Sequence, residues 1–355
     1  MELRKVRIGE LKFFAESQWF QQLPVHPVSL SRVASYVANP HARPEDPVLY
    51  FYAEGDEILS FRTLFPGILN GDSRRFAWLS GAWTHPLYRK KKLSINLLKE
   101  AAADWDGCLM ATNFAPLSGK LYQRSGLLKS FSEIKGRRFY LQPDFRKLLE
   151  PRLGAHAYLG AIPNAFVRTA AERRISQFKP EVPTDRSWEK MPFPDRECMD
   201  LANSQQPNFL FRRGEQELKW ILAYPWVSTD DHTFETSYPF SSYSRQFEVY
   251  MVKFFQEGQF LGFLIYSLRD GHLKLLHLHF SRNCTDLVAL FLTQEAVESR
   301  VEMVTILHEE VAERIYGQEN PFLFSKEFKQ SIYSSTADLP QNSQIQPGEG
   351  DFIFT

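Results

Sequence analysis

Four consecutive basic residues, Arg89, Lys90, Lys91 and Lys92, stand directly before a segment with helical periodicity. In that segment, ~93–105, the apolar residues Leu93, Leu97, Leu98, Ala101, Ala102 and Trp105 fall on one face. A helix N-terminus presents unpaired backbone N–H groups and the positive end of the helix dipole, so extra positive charge there suits a phosphate. Taken alone, the same residues also describe a solvated basic turn. His277 and His279 alternate on an expected strand and share a face, but no third metal ligand stands at a recognisable spacing. No metal site is expected. The cysteines Cys108, Cys198 and Cys284 are too few and too far apart for a zinc site or a disulfide framework.

The elements that would position the basic cluster can be read on either side of it. Short amphipathic helices are expected at 9–20 and 29–38, the second capped by Ser29 or Ser31. Two β-rich runs around Glu54-Gly55-Asp56 form a hairpin, and Phe76–Trp83 forms the next strand. A strand at Gly107–Thr112, a helix at ~118–125 ending at Gly126 and a strand at Arg137–Leu141 complete the unit. A strand–helix–strand passage implies a parallel pair with a right-handed crossover inside an otherwise antiparallel sheet. The order then recurs about 200 residues later. Glu257-Gly258 turns a second hairpin, Leu273–Phe280 follows as a strand, and a helix at 285–298 leads to a strand at 301–307. At the same offset Phe324 stands opposite Tyr122. The fold class is therefore α/β with mixed sheets, as two tandem domains. Their expected bounds are 1–145 and 201–336, with a helical and Pro-rich connector at 146–200 and a disordered tail at 337–355.

Composition narrows the class of partner. Lys+Arg and Asp+Glu both number 42, and this zero balance argues against a nucleic-acid partner. No run approaches the ~18–20 apolar residues that a membrane span requires, and Met1–Lys5 lacks the apolar stretch of a signal peptide. The expectation is a cytoplasmic protein with no membrane partner; composition says nothing of oligomeric state.

The segment Thr84-His85-Pro86-Leu87-Tyr88-Arg89-Lys90-Lys91-Lys92-Leu93-Ser94 resembles the cofactor motif of the GNAT (GCN5-related N-acetyltransferase) superfamily, roughly V/T-x-P-x-Y-R-G-K-G-h-G with h apolar. Downstream, Leu121-Tyr122-Gln123-Arg124-Ser125-Gly126-Leu127 resembles the family's L-Y-x-K/R-x-G-F segment. The resemblance implies a tandem-GNAT acyltransferase that takes acetyl-coenzyme A as co-substrate. It would transfer the acyl group to an amine on a small molecule, peptide or protein. Trp83 and Thr84 would pair with the pantetheine arm, and the backbone amides of Arg89, Lys90, Lys91, Lys92, Leu93 and Ser94 would cradle the pyrophosphate. Asn113 would replace an asparagine that the family often carries where Ala115 stands. Tyr122 would protonate the leaving thiolate, because a phenol keeps its proton at neutral pH (unperturbed pKa about 10) yet can pass it on. No general base is assigned.

The loop departs from the family pattern where glycines are expected: Lys90, Lys92 and Ser94 stand there. A left-handed backbone at Lys92 would cost about 1–2 kcal/mol. Two alternatives follow. One is a GNAT-like protein that kept the fold and lost catalysis; the other is a relative of the Fem-type aminoacyl transferases, suggested by the tandem layout alone.

Overall fold

The computed structural model describes residues 1–112, 114–146, 161–230, 237–281, 284–336, 338–340 and 343–355. In chain order the first half runs β1 (Glu2–Arg7), α1 (Ile8–Glu16), α2 (Gln18–Gln21), α3 (Leu30–Ala38), β2 (Pro47–Glu54), β3 (Glu57–Ile68) and β4 (Arg75–Thr84). A 3-10 turn at Pro86–Lys91, α4 (Leu93–Asp104), β5 (Leu109–Ala111), α5 (Pro116–Ser125) and β6 (Lys129–Tyr140) follow. After α6 (Ala161–Gln177) come β7 (Arg186–Met191), α7 (Arg196–Gln205), α8 (Glu215–Ala223), β8 (Phe247–Gln256), β9 (Gln259–Arg269) and β10 (His272–Phe280). The chain ends through α9 (Thr285–Glu298), β11 (Met303–Ile306), α10 (Glu309–Tyr316), β12 (Phe324–Ser334) and a 3-10 turn at Gly350–Phe354. Each half thus has the same order: a strand, helices, three strands, helix, strand, helix, strand.

The compact units do not coincide with the linear halves. One comprises Met1–Glu133, Ala202–Phe247 and Ser331–Thr355; the other comprises Ile134–Leu201 and Glu248–Gln330. The reason lies in strand pairing. In the first unit β5 takes the end of β12 as its antiparallel neighbour, through Tyr333↔Ala111 and Ser334↔Met110. In the second, β11 takes β6, through Met303↔Tyr140 to Ile306↔Arg137. Each sheet is completed by a strand from the other half of the sequence, which no local pattern announces.

Within the first unit, β1 to β4 form an antiparallel meander, and β4 pairs with β5 in parallel across α4. Leu64, Ala77, Leu79, Leu97, Leu98, Ala101, Leu109 and Tyr122 form a core between one sheet face and α4 and α5. The opposite face is covered by α3 and by residues from 202–247 and 350–355, where Phe65, Trp220, Trp226 and Phe354 pack ring on ring. In the second unit β10 pairs with β9 antiparallel and with β11 in parallel, over a separate core that includes Leu264, Tyr266, Leu275, Phe291 and Val304.

Three sequence expectations change here. The C-terminus is not a disordered tail: Phe352, Ile353 and Phe354 are buried, and Arg213 Nη2 donates to Glu349 Oε2 at 2.6 Å in the interior. Burial raises the Glu349 carboxyl, and Arg213 offsets this. The supposed connector holds β7 and α7 as well as α6; its residues 147–160 lie outside the described residues. Phe324 does not correspond to Tyr122, since it opens β12 and stacks on Tyr140 at 4.5 Å. The helix equivalent to α5 is α10, whose one aromatic residue, Tyr316, is exposed and lies under the Arg137 guanidinium at 3.9 Å.

Candidate functional site

The β3–β4 register slips between Arg62 and Leu64, because Arg62 faces Ala82 while Leu64 faces Leu79. The extra residue makes a β-bulge at Ser80-Gly81, which bends β4 and ends its pairing with β5. Ala77, Trp78 and Leu79 pair with β5; beyond Leu79 that edge of β4 has no strand partner among the described residues. Residues 80–84 therefore leave that strand edge without a β-neighbour among the described residues, where an extended ligand could pair. Gly81 fits closely at the bulge, since a Cβ there would lie 3.0 Å from the Phe240 ring and 3.1 Å from Thr63 Oγ1.

At the end of β4, Trp83 stacks on Phe61 (5.9 Å, 24°), and Thr84 Oγ1 lies 2.8 Å from Ser60 Oγ. The chain then enters the 3-10 turn behind Pro86, and Lys92 is the N-cap of α4, with φ 59° and ψ 17°. This is the left-handed conformation, adopted by a residue that carries a Cβ. The first amides of α4 find no side-chain cap at Lys92. Arg89, Lys90 and Lys92 are exposed and form no ion pair among the described residues, while Lys91 Nζ lies 4.4 Å from the Tyr88 ring. Uncapped helix amides and unpaired cations thus stand side by side at the start of α4, a combination that suits an anion.

Tyr122 is 2% exposed, on α5, between Pro116 at the helix start and Gly126 at its C-cap with φ 69°. Its ring meets Phe114 edge-on at 5.2 Å. Its hydroxyl accepts from Arg62 Nη1 at 3.3 Å, and Arg62 Nη2 donates to Ser94 Oγ at 3.5 Å. A buried guanidinium thus links β3, the first turn of α4 and α5. Because the phenol oxygen accepts this bond, its own proton is left to be given elsewhere. Arg62 is the residue that sequence reasoning missed on this face; its one signal was a lone charge inside the apolar run 58–65.

The structure thus brings Trp83, Thr84, Lys92, Leu93, Ser94 and Tyr122 to the parted end of β4 and the start of α4, with Arg89, Lys90 and Lys91 on the adjoining turn. Asn113 lies outside the described residues. The second unit repeats the backbone device: β10 carries a register shift between Leu275 and His277, and its pairing with β11 runs only from His272 to Lys274. His277 and His279 are buried there, with rings 4.8 Å apart and packed against Phe263, and burial drives His279 down to about 4. Among the described residues no group of three or more metal-ligating side chains converges, and no helix is long and apolar enough to cross a membrane.

No protein-family model and no curated protein sequence matches the chain. Solved structures do. A GCN5-related N-acetyltransferase from Anabaena variabilis superposes with a TM-score of 0.50 at 11% identity, over 93% of this chain and 72% of that one. The fold is that of the GNAT N-acetyltransferases. Also similar are a tandem GNAT protein from the clavulanic acid biosynthesis pathway (TM-score 0.47, 12% identity, 95% and 99% covered) and a GNAT from Kribbella flavida (0.42, 13%, 93% and 70%). The GNAT order of elements occurs in both halves of this chain, so the layout is a tandem one. At these identities the likeness concerns fold, and the chemistry has to be argued from residues.

Proposed function

We propose that the first unit is an acyl-coenzyme-A-dependent N-acyltransferase, with acetyl-coenzyme A as donor and a primary amine on a small molecule, peptide or protein side chain as acceptor. The observation that carries the reading is the parting of β4 from β5 beside the uncapped α4 N-terminus, with Tyr122 under the gap. The pantetheine arm would add to the free edge of β4 at Trp83 and Thr84, as a strand would. The pyrophosphate would meet the amides of 92–94 and the charges of Arg89 and Lys90–Lys92. Coenzyme A fits this set because its two polar demands, an extended amide chain and a diphosphate, are met at adjacent places.

In the chemical step the amine nitrogen forms a bond to the thioester carbonyl carbon, and the carbon–sulfur bond breaks. The departing thiolate takes the Tyr122 proton, while the Arg62 guanidinium stabilises the negative charge left on the phenol oxygen. Most of the acceleration would come from holding the reactants together, since no covalent enzyme intermediate is needed.

One observation favours a second reading, a GNAT-type protein that binds without turnover: Lys92 places a Cβ where close backbone approach to a diphosphate favours glycine. Calorimetric titration with acetyl-coenzyme A and with coenzyme A addresses the main proposal directly. Binding with a dissociation constant below about 1 mM is expected. No heat and no thermal shift at millimolar ligand would remove the acyltransferase reading.

A further inference from the structure

The C-terminal segment lies against the same bulge from the other face of the sheet. Gly350 has φ 68°, and a Cβ on it would lie 2.3 Å from Thr112 Cγ2 and 3.5 Å from Trp78 Cε3. It therefore sits against Trp78 on β4 and Thr112 just beyond β5, at the point where those strands part. The next residue, Asp351, accepts a hydrogen bond from Ser80 Oγ at 2.9 Å through Oδ2. Arg32 Nη1 donates to the same Ser80 oxygen at 2.6 Å and lies 3.9 Å from the carboxylate. Phe354, stacked on Trp226 at 4.5 Å, and the buried Arg213–Glu349 pair hold the segment in place.

Several buried polar atoms gather at this point without a hydrogen-bond partner among the described residues: Asp351 Oδ1, Arg32 Nε, Tyr238 Oη and Thr112 Oγ1. Arg32 and Tyr36 stand four apart on one face of α3, and Arg32 lies 5.9 Å from the Tyr238 ring. The side chains of Arg32, Tyr36 and Tyr238 are each less than 5% exposed. Buried polar atoms are rarely left unpaired, so this concentration points to a polar ligand. Tyr122 flanks β4 from the α4 side, with Ala77 and Leu79; Asp351 flanks it from the α3 side, with Trp78 and Ser80.

We infer that Asp351 is the general base of the acyl transfer, taking through Oδ1 the proton that the acceptor amine must lose. This rests on the acyltransferase reading above. The amine donates its proton to Oδ1 as its nitrogen bonds to the carbonyl carbon, and Tyr122 protonates the sulfur from the opposite face. The two proton transfers balance: one proton enters Asp351, one leaves Tyr122, and solvent resets both groups. Burial raises the carboxyl above its ordinary value, which suits a base; Arg32 and the Ser80 hydroxyl restrain the rise. Tyr36 and Tyr238, both raised by burial, face Arg32 as neutral phenols.

The test uses the full-length protein with acetyl-coenzyme A, following free-thiol release with water and with simple primary amines as acceptors. It is paired with a carbon-13 NMR titration of the aspartate carboxyls, in which D351N assigns the Asp351 signal. In the wild type this signal should titrate above the other aspartates and move when acetyl-coenzyme A binds. D351N, near-isosteric, should leave cofactor affinity within about twofold and lower thiol release by roughly a hundredfold or more. It should also erase the rise of rate with pH. S80A keeps the carboxyl and removes the hydroxyl that lowers its pKa, so the same limb should move to higher pH. If acetyl-coenzyme A binds but the Asp351 signal does not respond, or if D351N retains wild-type rate and profile, the base assignment is overturned while the acyltransferase reading stands. If acetyl-coenzyme A does not bind, both fall.

Discussion

Lys92 should show two effects of opposite sign when replaced. Its backbone lies at φ 59° and ψ 17°, where an L side chain costs about 1 kcal/mol or more relative to glycine. Lys92→Gly removes that strain but also frees the unfolded chain, which returns roughly 0.5–1 kcal/mol of it. The net gain expected is a few tenths to about 1 kcal/mol, or a rise in Tm of roughly 1–3 °C for a domain of this size. Lys92→Ala keeps the Cβ and the strain, so it should not share that gain. Both variants lose the ammonium at the α4 N-terminus. Each should weaken coenzyme A by about three- to tenfold at low salt, with the difference shrinking as salt screens the contact. Differential scanning calorimetry and isothermal titration on the two proteins separate the terms. Equal melting temperatures for the glycine and alanine variants would refute the strain argument. Unchanged coenzyme A affinity in both would remove Lys92 from the pyrophosphate site.

Tyr122→Phe should lower the rate of thiol release with little change in acetyl-coenzyme A affinity, and it should cost about 1–2 kcal/mol by leaving buried Arg62 Nη1 unpaired. Rate, titration and urea melts read the three quantities separately. Gly350→Ala forces a Cβ against Thr112 and should displace the C-terminal segment, lowering Tm by several degrees and turnover with it. Glu217 is buried and paired with His41 Nε2 at 2.9 Å; burial alone would raise its carboxyl, but the His41 contacts outweigh this and hold it at about 2, against 4.5 unperturbed. A depressed acid stabilises the fold above its unfolded pKa and loses that contribution as pH falls through the folded one. Glu217→Gln should therefore destabilise the protein at pH 6, and its difference from the wild type should shrink between about pH 4.5 and 2 in denaturant melts.

Much of the local structure around residues 84–126 was legible from the chain alone. The helix at 93–104, the turn before it and the helix ending at Gly126 are local features, set by apolar spacing, Pro86, Pro116 and a glycine cap. That Lys92 stands at a glycine position of the resembled motif raised the question of a left-handed backbone, and the structure answers it with φ 59°. Hairpins at Gly55 and Gly258 and the Ser29 cap of α3 were equally local.

What the tertiary structure decided is everything that depends on chain segments far apart in sequence. The completion of one sheet by the end of β12 and of the other by β6 cannot be read from either strand, since pairing partners are chosen by the whole packed arrangement. Nothing in the strand pattern drew attention to Arg62, whose role depends on Ser94 and Tyr122 standing beside it. Asp351 read as part of a polar tail, because flexibility is inferred from local composition, whereas order here comes from Phe354 stacking on Trp226 and from Arg213 meeting Glu349. Local sequence determined the basic turn and the helix start on which the proposed coenzyme site rests. Only the fold placed a carboxylate from residue 351 against the bulge at residue 80, because proximity between distant residues is a property of packing and not of spacing along the chain.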